Sequence, residues 1–320
     1  MNPLLSPTNH LFNLARSGRR LPHWVLAIVL GFIFVIVAQV GGGIPAAVIV
    51  VALSASGGEG ISFDDPTALM SLVQPDTALE QTIFLILAFG PIFLILWGWL
   101  ALFEKRPLWT IGLERAGAGL KYVRGFIIGL VMFAVSIGIS AAFGYIAFEP
   151  DRVDGSQGLA ALGGVLLVYL GWTVQGPAEE ALTRGWLLPA IGARYKPWLG
   201  VLVSSGIFMI LHLLNPNVGP VAVLNLFLFG LFAALYALYE GGLWGVFSLH
   251  AAWNWAQGNL LGFEVSGGLP PGGALVDLME AGPDLVTGGP FGPEGGLAVT
   301  AVLLVCCGVV WVLGRRKDVG

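Results

Sequence analysis

Six side chains capable of chemistry interrupt stretches that are otherwise apolar. Glu179, Glu180 and Arg184 lie in 176-GPAEEALTRG-185, directly after a run, 155–178, with no charged side chain. His212 lies in 208-FMILHLLNP-216, and His250 and Asn254 lie in 248-SLHAAWNWAQG-258. A carboxylate and an imidazole can share the activation of a water molecule. A second imidazole and a carboxamide can donate to the oxygen of a tetrahedral intermediate, where one donor is worth about 3–4 kcal/mol. Together the four types suit peptide hydrolysis by an activated water. No Ser–His–carboxylate order and no Cys–His pairing points to a covalent nucleophile. Ser204, Ser205 and Ser248 read as small packing residues.

Helical spacing sorts these groups. Residues four apart share a face, so Glu180 can pair with Arg184, and His250 and Asn254 project to one side. Glu179 lies about 100° round from Glu180 and has no local cation. An ionic partner for it must come from another helix. Phe208 stands one turn before His212. Plainer readings exist for each group. Glu180 and Arg184 can simply neutralise each other near the cytoplasmic edge. His212 and Asn254 can serve as hydrogen-bonding residues between helices.

Composition defines the medium that must hold them. Of 320 residues, 56% are hydrophobic and 11% charged, with a mean hydropathy of +0.84. Soluble domains carry roughly a quarter charged residues. The expected fold is all-α, a polytopic membrane bundle with no separate soluble domain. Eight apolar runs, near 22–54, 79–103, 122–148, 159–190, 198–214, 220–240, 243–261 and 296–314, approach the roughly 20 residues a membrane helix needs. Ionisable groups within such runs usually face the bundle interior. The first run is long and carries 41-GGGIP-45, which predicts a kink or a re-entrant piece. The chain divides into an amino-terminal segment (1–21), a bundle (22–314, with its motif core at 159–261) and a tail (315–320).

Charge between the runs sets the orientation. Arg16, Arg19 and Arg20 precede the first run, and Glu59, Asp64, Asp65 and Asp76 follow it. Basic residues return at 104–124, acidic ones at 149–154, and Arg194 and Lys196 follow. The 262–295 segment is acidic, and Arg315, Arg316 and Lys317 close the chain. This alternation predicts cytoplasmic amino and carboxyl termini. The 262–295 segment, rich in glycine and proline, is expected to form an ordered cap at the outer surface. The apolar run at 24–40 reads as a first span rather than a cleaved signal. Cys306 and Cys307 are adjacent and read as unbridged helix residues. His10 and His23 are assigned no role.

One conflict stands out. At 1.5 Å per residue, His212 lies roughly 20 Å from the cytoplasmic start of its run and His250 only about 10 Å from the start of its own. The imidazoles meet only if the helices are staggered or tilted, or if their boundaries differ from these.

The set Glu179-Glu180-x-x-x-Arg184, Phe208-x-x-x-His212 and His250-x-x-x-Asn254, on runs four, five and seven, resembles the three motifs of the CPBP family. These are intramembrane glutamic endopeptidases, which include CAAX prenyl proteases and bacteriocin-processing or ABI proteins. The stretch 287-TGGPFGPEGG-296 is similar to the glycine-rich segment before the last helix of bacterial members, and the resemblance covers roughly residues 80–314. It implies that Glu179 activates water with His212, and that His250 and Asn254 bind the oxyanion. It gives Glu180, Arg184 and Phe208 supporting places. The implied protein is a metal-independent peptidase of the cell membrane with no cofactor. Its partners would be a membrane-associated protein or peptide substrate and the lipid bilayer, with no nucleic acid. The eukaryotic branch trims prenylated CAAX proteins, whereas the kinked first run and long glycine-rich segment resemble bacterial members.

Two other readings fit the same residues. Two histidines and a glutamate form a common catalytic zinc set, although no His-Glu-x-x-His helix is present. Alternatively, the polar groups line a solute path or serve a non-enzymatic scaffold or immunity-type partner protein.

Overall fold

The computed structural model describes residues 2–56, 74–149 and 157–316. Glu59, Asp64, Asp65, Asp151, Arg152 and Asp154 lie outside the described residues. Eight helices fall on the eight apolar runs, the third ending at Ala142, short of its run, where strand Ile146–Phe148 follows. They are α1 (Trp24–Ala55), α2 (Ala78–Glu104), α3 (Ala118–Ala142) and α4 (Gly158–Arg194), followed by α5 (Pro197–Leu211) and α6 (Pro220–Glu240). The last two are α7 (Trp244–Trp255), continued by a π-helical turn over Ala256–Leu260, and α8 (Leu297–Arg316). Among the described residues the one sheet is a short antiparallel pair, β1 (Ile146–Phe148) and β2 (Leu278–Glu280), with Ala147 opposite Met279. The protein is an all-α, multi-pass membrane bundle.

Six of the eight helices are long and apolar enough to cross a membrane. α5 and α7 are shorter; His212 directly follows α5, and α7 carries His250 and Asn254. In α7 every residue from Gly245 to Asn254 is buried, so protein rather than lipid surrounds it. A helix enclosed in this way need not match the thickness of the hydrocarbon layer.

The first span has no re-entrant piece. It is continuous, with a π-helical turn at Gln39–Gly43 in place of a break. That turn falls where α1 crosses α2. A side chain at Gly42 would run into the carbonyl oxygen of Leu87, so this glycine permits close contact between the helices.

The two termini share one end of the bundle. The Asn2 side chain donates to the carbonyl of Trp311 (2.9 Å). The 262–295 segment closes the opposite end and is ordered throughout. It includes β2 and a short helix, Asp284–Thr287. Asn259 donates to the carbonyls of Pro271 and Gly273, and Asn225 donates to those of Glu294 and Gly296. Cys306 and Cys307 are free thiols.

A stagger between α5 and α7 resolves the depth conflict. Gly200, near the start of α5, packs on Leu188 and Gly192, close to the end of α4. Leu243, just before α7, packs instead on Gly185, higher along α4. The turn before α7 is held up from beneath. A short amino-terminal helix, His10–Arg16, and the 108–114 segment fill the space under it. Asn9 donates to the carbonyl of Leu238 (3.1 Å) and the Leu243 amide to that of Gly112 (2.9 Å). The Trp244 indole donates to the carbonyl of Glu114 (2.8 Å). Three to seven residues of offset along α4, at 1.5 Å each, amount to roughly 5–10 Å. That accounts for much of the difference between the two histidine depths.

Candidate functional site

Glu179 lies on α4, with its Oε2 atom 3.8 Å from Nε2 of His212 and 3.9 Å from Nε2 of His250. Three helices thus bring one carboxylate oxygen and two imidazoles to a common point. Glu179 Oε2 is buried and has no hydrogen-bond partner. Both separations exceed a direct hydrogen bond and match a bridging water.

The other nitrogen of each imidazole is fixed. His212 Nδ1 lies 2.7 Å from the backbone carbonyl oxygen of Phe208. A carbonyl only accepts, so Nδ1 carries the proton. His250 Nδ1 lies 2.9 Å from Oε1 of Glu180, which also accepts from Nη1 of Arg184 at 3.0 Å. That nitrogen therefore donates to the Glu180 carboxyl oxygen that Arg184 also holds. In their neutral forms both rings turn a lone pair toward Glu179. Three acceptors around one point require a hydrogen between them, from a water molecule or from one protonated ring.

Phe208 fills the space behind the rings. Its centroid is 4.6 Å from that of His212 and 6.0 Å from that of His250, and the Arg184 guanidinium carbon lies 4.4 Å from it. Arg184 and Glu180 are fully buried. Glu180 joins Arg184 to His250 as well as neutralising it. Gly176 makes room for that imidazole: a methyl group there would sit 3.0 Å from His250 Cγ.

Asn254 points to the same site along a different route. Its amide donates to Oε1 of Gln175 (3.0 Å), and Gln175 Nε2 donates to Oε1 of Glu179 (2.7 Å). Gln175 thus fixes the glutamate carboxylate through the oxygen that does not face the imidazoles. Gln175 is not among the residues that charge and motif spacing single out, although its place four residues before Glu179 in an uncharged run is a usable signal.

Two cavities adjoin the site. The larger, about 370 Å³, starts at Glu179 and runs between α1, α2 and α4, past Val35, Gln39, Leu85, Phe89 and Ile92. The smaller, about 40 Å³, adjoins it and is lined by His212, His250, Asn254, Ser266 and Glu294 among apolar side chains. It carries polar groups and is large enough for water. Ser266 and Glu294 belong to the 262–295 segment, which nothing in the spacing ties to the site. Among the described residues no group of three or more His, Cys, Asp and Glu side chains is placed to hold a metal ion.

A family model described as Rce1-like, for the type II CAAX prenyl endopeptidase Rce1-like proteins, matches residues 161–256. The match spans Glu179, Glu180, Arg184, Phe208, His212, His250 and Asn254, and ends before Ser266 and Glu294. Neither the curated proteins nor the solved structures contain a match.

Proposed function

We propose, on the premise that the chain belongs to the CPBP family of CAAX-type membrane proteases through residues 161–256, that it is a glutamic endopeptidase cleaving a membrane-associated peptide. The observation that carries this reading is the single oxygen of Glu179 shared between Nε2 of His212 and Nε2 of His250, at 3.8 and 3.9 Å. A water held there gives one proton to Glu179, with His212 as the partner base, and its oxygen attacks the scissile carbonyl. His250, protonated and backed by the Glu180 carboxylate, and the second N–H of Asn254 donate to the developing oxyanion. Collapse of the intermediate breaks the C–N bond, and the leaving nitrogen takes up a proton.

The larger cavity suits an extended, largely apolar segment that enters from between helices. Water activation by Glu179 and His212 requires neither a metal nor a cofactor. The charge alternation supports cytoplasmic termini in a cell membrane, with the 262–295 segment on the other side. The test uses purified protein in detergent with a panel of internally quenched peptides, farnesylated and unmodified. Cleavage by the native protein and its loss in Glu179→Gln, His212→Ala and His250→Ala is the expected result. Full activity in Glu179→Gln removes the base assignment.

A further inference from the structure

Glu294 is a second carboxyl group at the site that the water-activating step does not use. It sits in the turn before α8, outside the matched motifs. Its Oε1 accepts from both the backbone amide (2.5 Å) and the hydroxyl (2.9 Å) of Ser266. Ser266 holds a left-handed backbone conformation, φ 52°, unusual for a residue other than glycine. Such outliers persist where the surrounding structure over-determines them. Here the conformation aims two donors at one carboxyl oxygen. The backbone of the same turn is fixed by Asn225, which donates to the carbonyl of Glu294 (2.8 Å) and accepts from the hydroxyl of Thr300 (2.6 Å).

Glu179 lines the larger cavity and Glu294 the smaller, with Gln175, Phe208, His212, Asn254 and Ser266 common to both. The two carboxyl groups therefore open on adjoining cavities that meet at His212. An amide needs an acid as well as a base, because its nitrogen leaves only once protonated.

We infer that Glu294 is the proton donor to the leaving amine, acting across the water-sized chamber beside His212 and His250. This rests on the protease reading. In the step, Glu179 holds the proton taken from water, the C–N bond of the tetrahedral intermediate breaks, and the nitrogen receives the proton of the Glu294 carboxyl. The proton on Glu179 then returns to Glu294 through water, and both groups are reset. Burial pushes the Glu294 carboxyl above its ordinary range, against the Ser266 hydrogen bonds and the charges of His212 and His250, which pull it down. Those two histidines are the titratable groups that face it. Ser266, Asn225 and Thr300 are neutral.

The experiment compares Glu294→Gln with the native protein on two probes of the same acyl sequence, a peptide amide and an activated aryl ester. The ester's leaving group departs without a proton. Glutamine keeps the oxygen that accepts from Ser266, so the loop fold is retained. The expected result is a loss of about 100-fold or more in kcat on the amide, KM little changed, and a loss on the ester at least tenfold smaller. Glu179→Gln is expected to lose both. Equal losses on the two probes, or an unchanged amide rate, overturn the inference. Infrared difference spectroscopy supplies a readout independent of turnover. A protonated-carboxyl band near neutral pH that disappears in Glu294→Gln supports the donor. Absence of that band refutes it, whether or not either probe is cleaved. Cleavage of neither probe by the native protein, with the band present, counts against the protease reading and not against the protonated acid.

Discussion

Oε1 of Glu180 receives two hydrogen bonds, one from Arg184 of its own helix at 3.0 Å and one from His250 of α7 at 2.9 Å. An ion pair that on its own would be structural is thereby tied to an imidazole facing Glu179. Glu180→Ala leaves the fully buried Arg184 without its counter-charge, a change that typically costs about 3–5 kcal/mol. The expected outcome is a clear drop in unfolding temperature in detergent. Glu180→Gln keeps an acceptor for His250 but removes the charge that stabilises its protonated form. Loss of turnover with a smaller loss of stability is expected, measured by thermal unfolding and peptide cleavage in parallel.

Gln175 is a positioning residue for Glu179. Gln175→Leu removes both the donor to Glu179 and the acceptor for Asn254, and leaves each buried group one bond short. At least a tenfold fall in kcat is expected, with KM close to native. Gln175→Glu sets a second carboxylate against Glu179 and is expected to be worse. Its pH–rate profile should move toward higher pH on the acid limb, because like charges hold one of the two protonated longer. An unmoved profile would reduce Gln175 to a packing residue.

At Gly176 the contact is steric. Gly176→Ala places a methyl group 3.0 Å from His250 Cγ and 3.2 Å from the backbone nitrogen of Ala251. Neither neighbour is the free end of a flexible chain. Overpacking of this kind costs about 1–3 kcal/mol, and the imidazole must turn. A folded protein with strongly reduced cleavage is expected, and native-like activity would show that the ring can shift without consequence.

Outside the membrane-spanning helices, burial pushes the Glu280 carboxyl up to about 7, with added repulsion from Glu264, Asp284 and Glu149. Its ordinary value in the unfolded chain is 4.5. The folded form therefore favours the protonated acid, and its stabilising effect is complete below the ordinary value. It is lost as pH rises from about 4.5 to about 7 and changes little beyond. Amides around β2 should exchange hydrogen faster as pH rises through that window, after correction for the intrinsic rate. Glu280→Gln should remove the trend.

A zinc chelator separates the two hydrolytic readings of the same three side chains. With Glu179 and His212 activating the water, activity survives chelation and dialysis. A lasting loss restored by added zinc would assign Glu179, His212 and His250 to a metal instead.

Much of this arrangement is legible in the sequence, for identifiable reasons. Charged groups in an uncharged run mark themselves, so Glu179, Glu180 and Arg184 stand out. The helical repeat correctly pairs Glu180 with Arg184. It gives Asn254 the face of His250 but not its tie to Gln175. The stagger of α5 against α7 is not legible, because it depends on how the amino-terminal helix and the 108–114 segment fill space under a turn. The π-helical turn Ala181–Leu187 carries no sequence sign either. Ser266 and Glu294 are hidden because they reach the site through a glycine-rich loop, where neither period applies and only tertiary contact decides position.

The short helix His10–Arg16 makes the amino-terminal segment a plinth for chemistry it never touches. Removing the residues before Leu21 would let the Gly241–Leu243 turn settle, and His250 would slide along its helix axis away from Glu179. Truncations that remove this helix are therefore perturbations of the reaction centre.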